Sequence, residues 1–225
     1  MNTSVLNEIR SLPVGWHGAG TATPEMLAAI ADHCSSLAPR SVCVETGAGK
    51  TTLLFSHLFQ KHQVFAFDAG GSVSRVRESG LLNPGVVTFI DGPTQLTLPK
   101  AELPASIDCV LLDGPHGYPF PDLEYYWLYP RIRSGGLLIL DDVHIPTIRR
   151  MLEILRVDPM WEPLTTVGYT AFLRRTSVPM VDPFADDWWK QGYNRAMYEQ
   201  TLKKAKLRES SIGRKLVALK RVFRF

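Results

Sequence analysis

The sequence predicts an α/β domain, a doubly wound and mostly parallel sheet with a terminal antiparallel strand, and three observations predict it. From residue 41 onward, short β-branched or apolar runs alternate with amphipathic stretches, the pattern of a parallel sheet covered by helices on both faces. The first of those runs ends in a glycine turn, Gly47-Ala48-Gly49. Late in the chain the alternation breaks, and two strand-like runs follow one another with only Gly168 as a tight turn between them.

Taken in order, residues 1–40 read as an N-terminal cap. Trp16 and His17 precede a glycine-rich turn, and Thr23 or Thr21 can start the helix MLAAIADHC by accepting from its free N–H groups. Trp16 and His17 are either lid residues or, for the tryptophan, an anchor of a loop to the core. Five strands follow at SVCVET, VFAFDA, VVTFID, DCVLLDG and LLILDDV. Apolar residues at helical spacing lie between or after them: Leu54, Phe55, Leu58 and Phe59; then Leu123, Tyr126 and Trp127; then Ile148, Met151, Leu152 and Leu155. Each such face is expected to cover the sheet. WEPLTTVG and YTAFLRRT make the terminal hairpin, and the proline- and acid-rich stretch from Ser177 to Asp187 ends the domain near Thr176.

With 225 residues, 45% of them hydrophobic, the chain supports one full-sized core, so one domain with short extensions is the default. No stretch approaches the roughly 18 apolar residues of a membrane span, and MNTSVLNEIRSLP has no apolar signal core; a cytoplasmic location is expected. Of three cysteines, Cys43 and Cys109 lie in apolar runs, where free thiols behave as small hydrophobes, which argues against a disulfide framework or a zinc site. The net charge of +3 hides a division: residues 203–225 hold nine Lys/Arg against Glu209 alone. Ile212, Leu216, Leu219 and Phe223 repeat there at helical spacing among the basic residues. Such a helix suits an anionic membrane surface or an acidic partner, or packs on the domain or a second subunit; nucleic acid is disfavoured, since interleaved exposed aromatics are not evident.

VETGAGKTT is the most informative segment. Glycines let a ligand approach the backbone, and a helix N-terminus supplies free N–H groups. Beyond an ordinary strand-to-helix turn, three ligand readings exist. A P-loop needs a glycine five residues before Gly49, where Val44 stands, and Glu45 would repel a triphosphate. A dinucleotide site fits Gly47, Gly49 and the downstream Asp68, but its third glycine position is Thr52. A cofactor with a cationic end fits better, because a carboxylate at the strand mouth attracts it.

Here residues 41–176 resemble the class I S-adenosylmethionine-dependent methyltransferases. Glu45-Thr46-Gly47-Ala48-Gly49 matches that family's acid-x-Gly-x-Gly. The resemblance implies a seven-stranded Rossmann-like fold whose last antiparallel strand is the terminal hairpin's. It implies that Asp68 accepts the ribose hydroxyls and that Ile90-Asp91-Gly92 lies along the adenine. Glu45, Gly47, Gly49, Asp68, Asp91, Gly92 and Asp113 are thus the expected cofactor-binding residues.

A second constellation consists of Asp113 in LLDGPH and Asp141-Asp142 in LILDDVH. Carboxyl ends of adjacent strands open onto one crevice, and carboxylates gathered there repel one another unless a hard cation such as Mg²⁺ or Ca²⁺ intervenes. The alternative is that Asp141-Asp142 cap the next helix and His116 is a turn residue. This portion resembles the metal-dependent O-methyltransferases of catechol and macrolide-sugar type, as well as a broader group of bacterial methyltransferases in GPHGYPFPDLEYYW. That resemblance implies Mg²⁺ held by Asp113, Asp141 and Asp142, with His116 as general base. His144 is a further ligand or substrate contact, or neither.

The expectation is therefore a cofactor-binding catalytic domain over 41–176, a C-terminal extension over 177–225, and methyl transfer from S-adenosylmethionine to a hydroxyl of a small molecule. A nucleotide-binding protein, either NTPase or NAD enzyme, and a non-catalytic cofactor-binding module acting through the basic tail are the rival expectations.

Overall fold

The computed structural model describes residues 3–13, 15–16, 22–37, 41–68, 70–181 and 185–209. Two helices come first, α1 (Thr3–Ser11) and α2 (Pro24–Ser35), then β1 (Val42–Thr46), α3 (Lys50–Leu58), β2 (Lys61–Ala66), α4 (Ser72–Glu78), β3 (Val87–Asp91) and the single turn α5 (Thr94–Thr97). The second half runs β4 (Ile107–Leu112), α6 (Phe120–Leu128), β5 (Ile132–Leu140), α7 (Pro146–Leu155), β6 (Trp161–Val167), β7 (Thr170–Arg175) and α8 (Gly192–Glu209).

The seven strands form one sheet in the order β3-β2-β1-β4-β5-β7-β6. All neighbours up to β5 are parallel, and β7 is antiparallel to both β5 and β6, as the expected terminal hairpin requires. Its turn holds Gly168 at φ +57°. The strand order reverses between β1 and β4, and a crevice forms at such a point. The central strand β4 shows no alternation of buried and exposed positions. Every one of its residues is buried, because both faces of the sheet are covered, and the sequence there reads as a nearly continuous apolar run. Register carries the chemistry to one level. Thr46 stands opposite Leu112, and Leu112 opposite Leu140, so the residues that leave β1, β4 and β5 emerge side by side.

The helices follow their sequence cues with one exception. Thr23 caps α2, its Oγ1 accepting the Met26 N–H at 3.2 Å with Pro24 at the first helical position, which replaces one N–H partner the helix lacks and starts it with a fixed φ. Buried Ile148, Met151, Leu152 and Leu155 line α7, and full burial of such side chains contributes roughly 1.5–3 kcal/mol each. In α3 burial extends beyond the expected Leu54, Phe55 and Leu58 to Lys50, Thr51, Thr52 and Leu53, since Ile9, Leu27 and Ile30 of α1 and α2 share its core cluster. The exception is α6. Leu123 and Tyr126 are exposed there, while Pro121, Glu124 and Leu128 are the buried stripe. The helix is rotated relative to the apolar reading because its inward face includes a carboxylic acid.

Cys34, Cys43 and Cys109 are buried and form no disulfide. Among the described residues no helix is long and apolar enough to cross a membrane. The expected basic stripe from Ile212 to Phe223 lies outside the described residues, as does His17; Trp16 packs against the core around α1–α3, with its carbonyl accepting from Arg75 at 2.7 Å.

Candidate active site

At the carboxyl ends of the central strands lies a cleft of about 610 Å³. Gly47 and Ala48 follow β1 into it, Phe65, Ala66 and Phe67 come from β2, and Pro93, Thr94 and Gln95 from the turn after β3. The opposite wall carries Asp113, Gly114, Pro115 and His116 after β4, Asp141 and Asp142 after β5, and Val167, Gly168, Tyr169 and Thr170 of the hairpin. Thr23 and Met26 of α2 close one side. Gly47, at φ +86°, has the Asp113 carbonyl oxygen where a β-carbon would project, so its lack of a side chain is needed twice, for the dihedral and for the close approach.

Among the residues expected to touch a cofactor, Gly47 and Asp113 line this cleft, whereas Glu45, Gly49, Asp68, Asp91 and Gly92 do not. Glu45 is 1% exposed. Its carboxylate accepts the hydroxyls of Thr51 and Thr52 in the first turn of α3 and lies 3.3 Å from His62 Nε2. Gly49 N-caps α3. Lys50, in the position that a phosphate-binding loop would aim at its ligand, is 1% exposed and donates to the carbonyls of Leu12 (2.9 Å) and Ala22 (3.5 Å). It ties the N-terminal helices to α3, and it is not available to a phosphate.

Asp68 sits exposed just beyond β2 and accepts from the Val73 N–H (3.0 Å), the Ser74 N–H (3.3 Å) and the Ser74 hydroxyl (2.6 Å). The Ser74 hydroxyl bond holds its carboxyl below the usual range. Asp91 accepts the Arg77 guanidinium at 2.8 Å on both oxygens, with Arg77 stacked 4.6 Å over the Phe89 ring. Gly92, at φ +132°, donates to Ala66 O at 2.9 Å and leads the chain back to the cleft at Pro93.

The acids after β4 and β5 converge as expected, but not all three point alike. His116 Nε2 lies 3.2 Å from Asp142 Oδ2 and 3.8 Å from Asp113 Oδ1. Asp113, His116 and Asp142 each offer a ligand atom, all within 4.8 Å of one another. Asp141 instead accepts the Thr170 hydroxyl. Burial raises the pKa of Asp113, and the nearby Asp141 and Asp142 charges add to that rise; burial likewise raises Asp141. His116 is raised above the usual imidazole range by the neighbouring Asp113 carboxylate and by the Asp142 and Asp141 charges. Such mutual shifts mark groups whose like charges are held together at the cost of ionisation. Asp142 adopts φ +54°, and His144, its ring tilted against Tyr169 with centroids 4.1 Å apart, places Nδ1 3.5 Å from Asp142 Oδ1.

Residues 44–143, which run from β1 to just past the acids of β5, match the family model described as a methyltransferase domain. Solved structures of similar fold include the O-methyltransferase TomG of Streptomyces achromogenes, involved in tomaymycin synthesis and bound to S-adenosylmethionine. It is 19% identical with a TM-score of 0.54, over 79% of this chain and 92% of that one. An O-methyltransferase of Bacillus cereus in complex with S-adenosylhomocysteine is 17% identical, with a TM-score of 0.53 over 78% and 92%. MycE, a methyltransferase of the mycinamycin pathway in complex with Mg and S-adenosylhomocysteine, is 15% identical, with a TM-score of 0.50 over 78% and 57%. No curated protein sequence matches this one.

Several residues of the cleft wall, and one behind it, escaped the sequence reading. Thr94 and Gln95 lie in the short α5, Tyr169 in the hairpin turn and Thr170 at the start of β7, where neither periodicity nor a motif marks them. Phe67 had a signal, being a large apolar residue 65% exposed directly after a strand. Glu124, 2% exposed, lay hidden in an otherwise ordinary helical stretch.

Proposed function

We propose that this domain transfers the methyl group of S-adenosylmethionine to a hydroxyl oxygen of a small molecule. The observation that carries the proposal is the meeting, in one cleft, of the Gly47 turn with His116 and its two flanking carboxylates. The cofactor's sulfonium already makes the methyl electrophilic, so the protein has to align an acceptor in line with it and remove the acceptor's proton. His116 is the group placed to take that proton, and Asp142, 3.2 Å from Nε2, stabilises the imidazolium that results. Asp113, beside Gly47, supplies the negative charge that favours the cofactor's cationic end, because Glu45 is committed to Thr51 and Thr52. Asp68, at the end of β2, is the assigned ribose acceptor. Its bonds to Ser74 and Val73 hold the carboxylate in one orientation.

The donor set also fits a divalent ion. Asp113 and Asp142 supply the oxygens that Mg²⁺ prefers, and a cation among them relieves the repulsion that raises Asp113. When bound, such an ion supplies acidification of a coordinated hydroxyl. Mg²⁺ on the two carboxylates leaves His116 free as base, whereas an ion that also takes imidazole consumes it.

Titration calorimetry tests the reading. S-adenosylhomocysteine is expected to bind and ATP and NAD are not. Asp68→Ala should weaken the binding by about tenfold or more, as loss of charge-assisted hydrogen bonds requires. Tight ATP or NAD binding without any response to S-adenosylhomocysteine would overturn it.

A further inference from the structure

Behind the cleft wall, Thr46 and Glu124 touch the acid-bearing loop without facing the cleft. Thr46 is fully buried at the end of β1. Its Oγ1 accepts the main-chain N–H of Asp113 at 3.0 Å and donates to Glu124 Oε2 at 2.8 Å. A hydroxyl has one proton, so the bond to Glu124 decides where that proton goes and leaves a lone pair directed at Asp113. Glu124 has a second contact. Its carboxylate fills the space where a β-carbon on Gly114 would stand, the residue between Asp113 and Pro115. Meanwhile the Asp113 carbonyl is pressed onto Gly47.

We infer that Thr46 and Glu124 are a positioning pair, a hydroxyl and a carboxyl that fix the main chain of Asp113 and Gly114 from behind the cleft and so set where Asp113 points. The inference rests on the proposed role of Asp113 in the cleft. Energetics support it, because a carboxyl at 2% exposure on the same face as Pro121 and Leu128 carries a desolvation cost that an apolar residue would avoid. Burial pushes its pKa up to about 7. Thr46 bonds one carboxyl oxygen and Thr94 also faces the carboxyl; these contacts and the fit against Gly114 are what that cost maintains.

The test compares Thr46→Val and Glu124→Leu, which abolish the link, with Thr46→Ser and Glu124→Gln, which keep a hydroxyl and an accepting oxygen. Three readouts on the full chain are amide hydrogen exchange over residues 113–116, S-adenosylhomocysteine affinity, and Mn²⁺ affinity from the free-ion paramagnetic signal. Thr46→Val and Glu124→Leu should each speed exchange at Asp113 by about tenfold or more and weaken Mn²⁺ by about tenfold, the scale of one lost hydrogen bond. S-adenosylhomocysteine affinity should fall less than Mn²⁺ affinity, since this ligand lacks the sulfonium charge that Asp113 favours, and the Ser and Gln variants should match the parent on all three. Unchanged exchange at Asp113 in either disruptive variant overturns the inference. So does faster exchange spread evenly over β1 and β4 with no rescue by Thr46→Ser, the result of a merely structural role. If the parent protein binds no Mn²⁺, the metal assignment of the cleft falls, and the exchange comparison still decides the pair.

Discussion

The carbonyl oxygen of Asp113 occupies the space into which a β-carbon on Gly47 would project. The two strand ends that frame the cleft therefore pack backbone to backbone, and the cleft's depth depends on that closeness.

Gly47→Ala should disturb it on two counts. At φ +86° an L side chain is strained, by about 1–3 kcal/mol, and the collision is with backbone that has no rotamer to retreat to. We expect a lowered melting temperature and S-adenosylhomocysteine binding at least about tenfold weaker, a loss of about 1.4 kcal/mol on the affinity scale. Gly80→Ala is the control, since nothing lies within 4 Å of its added carbon; it should stay within about 0.5 kcal/mol of the parent in stability. Equal behaviour of the two variants would show that the close approach is without consequence.

The convergence of Asp113 and Asp141-Asp142 was legible because each acid ends an apolar run, and parallel register brings such ends to one level. The α7 face was legible for a similar reason, with one periodicity and no polar interruption. In α6 two stripes compete, and the sequence favours the one with more aromatic surface; the buried one contains Glu124, whose partner Thr46 lies 78 residues away. Side-chain orientation was the second hidden quantity. Glu45 and Asp68 stand at the expected strand ends, yet whether a carboxylate faces a cleft or a neighbouring helix start is decided by Thr51, Thr52, Val73 and Ser74. Asp141 and Asp142 are equivalent in composition, and their surroundings separate them: the Thr170 hydroxyl on Asp141 and His116 beside Asp142.

Glu124 should also leave a mark on stability as pH changes. Burial raises its folded pKa to about 7 from an ordinary 4.5, so between those values the folded chain keeps a proton that the unfolded chain has released. Stability from this group is present at low pH and is lost as pH rises through that window, by an amount on the order of 2–3 kcal/mol. Glu124→Gln has no such proton to lose. Urea unfolding at pH 5 and pH 8 should show the variant gaining on the parent by roughly that amount; a pH-independent difference between the two would mean that Glu124 titrates normally.

The sharpest separation concerns the acids themselves, because geometry distinguishes Asp142 from Asp141 where sequence does not. Asp142 shares a cluster with Asp113 and His116, while Asp141 is bonded to Thr170. Asp142→Asn should therefore weaken Mn²⁺ or Mg²⁺ by about tenfold or more, as loss of a charged ligand requires, and Asp141→Asn should do so far less. The asparagine tolerates the φ of +54° at 142, since Asn is among the residues that populate that region, so folding is preserved in the comparison. His116→Ala then assigns the imidazole. A base that is not a ligand leaves metal affinity unchanged and lowers methyl transfer from radiolabelled S-adenosylmethionine by roughly 10²–10⁴-fold. An imidazole that ligates the ion lowers metal affinity as well. Chelation should abolish transfer and Mg²⁺ restore it; full transfer in excess chelator would remove the ion from the scheme and leave His116 to accept the proton alone. Equal metal affinities for the Asp141→Asn and Asp142→Asn proteins would mean that the Thr170 bond opens when the ion binds.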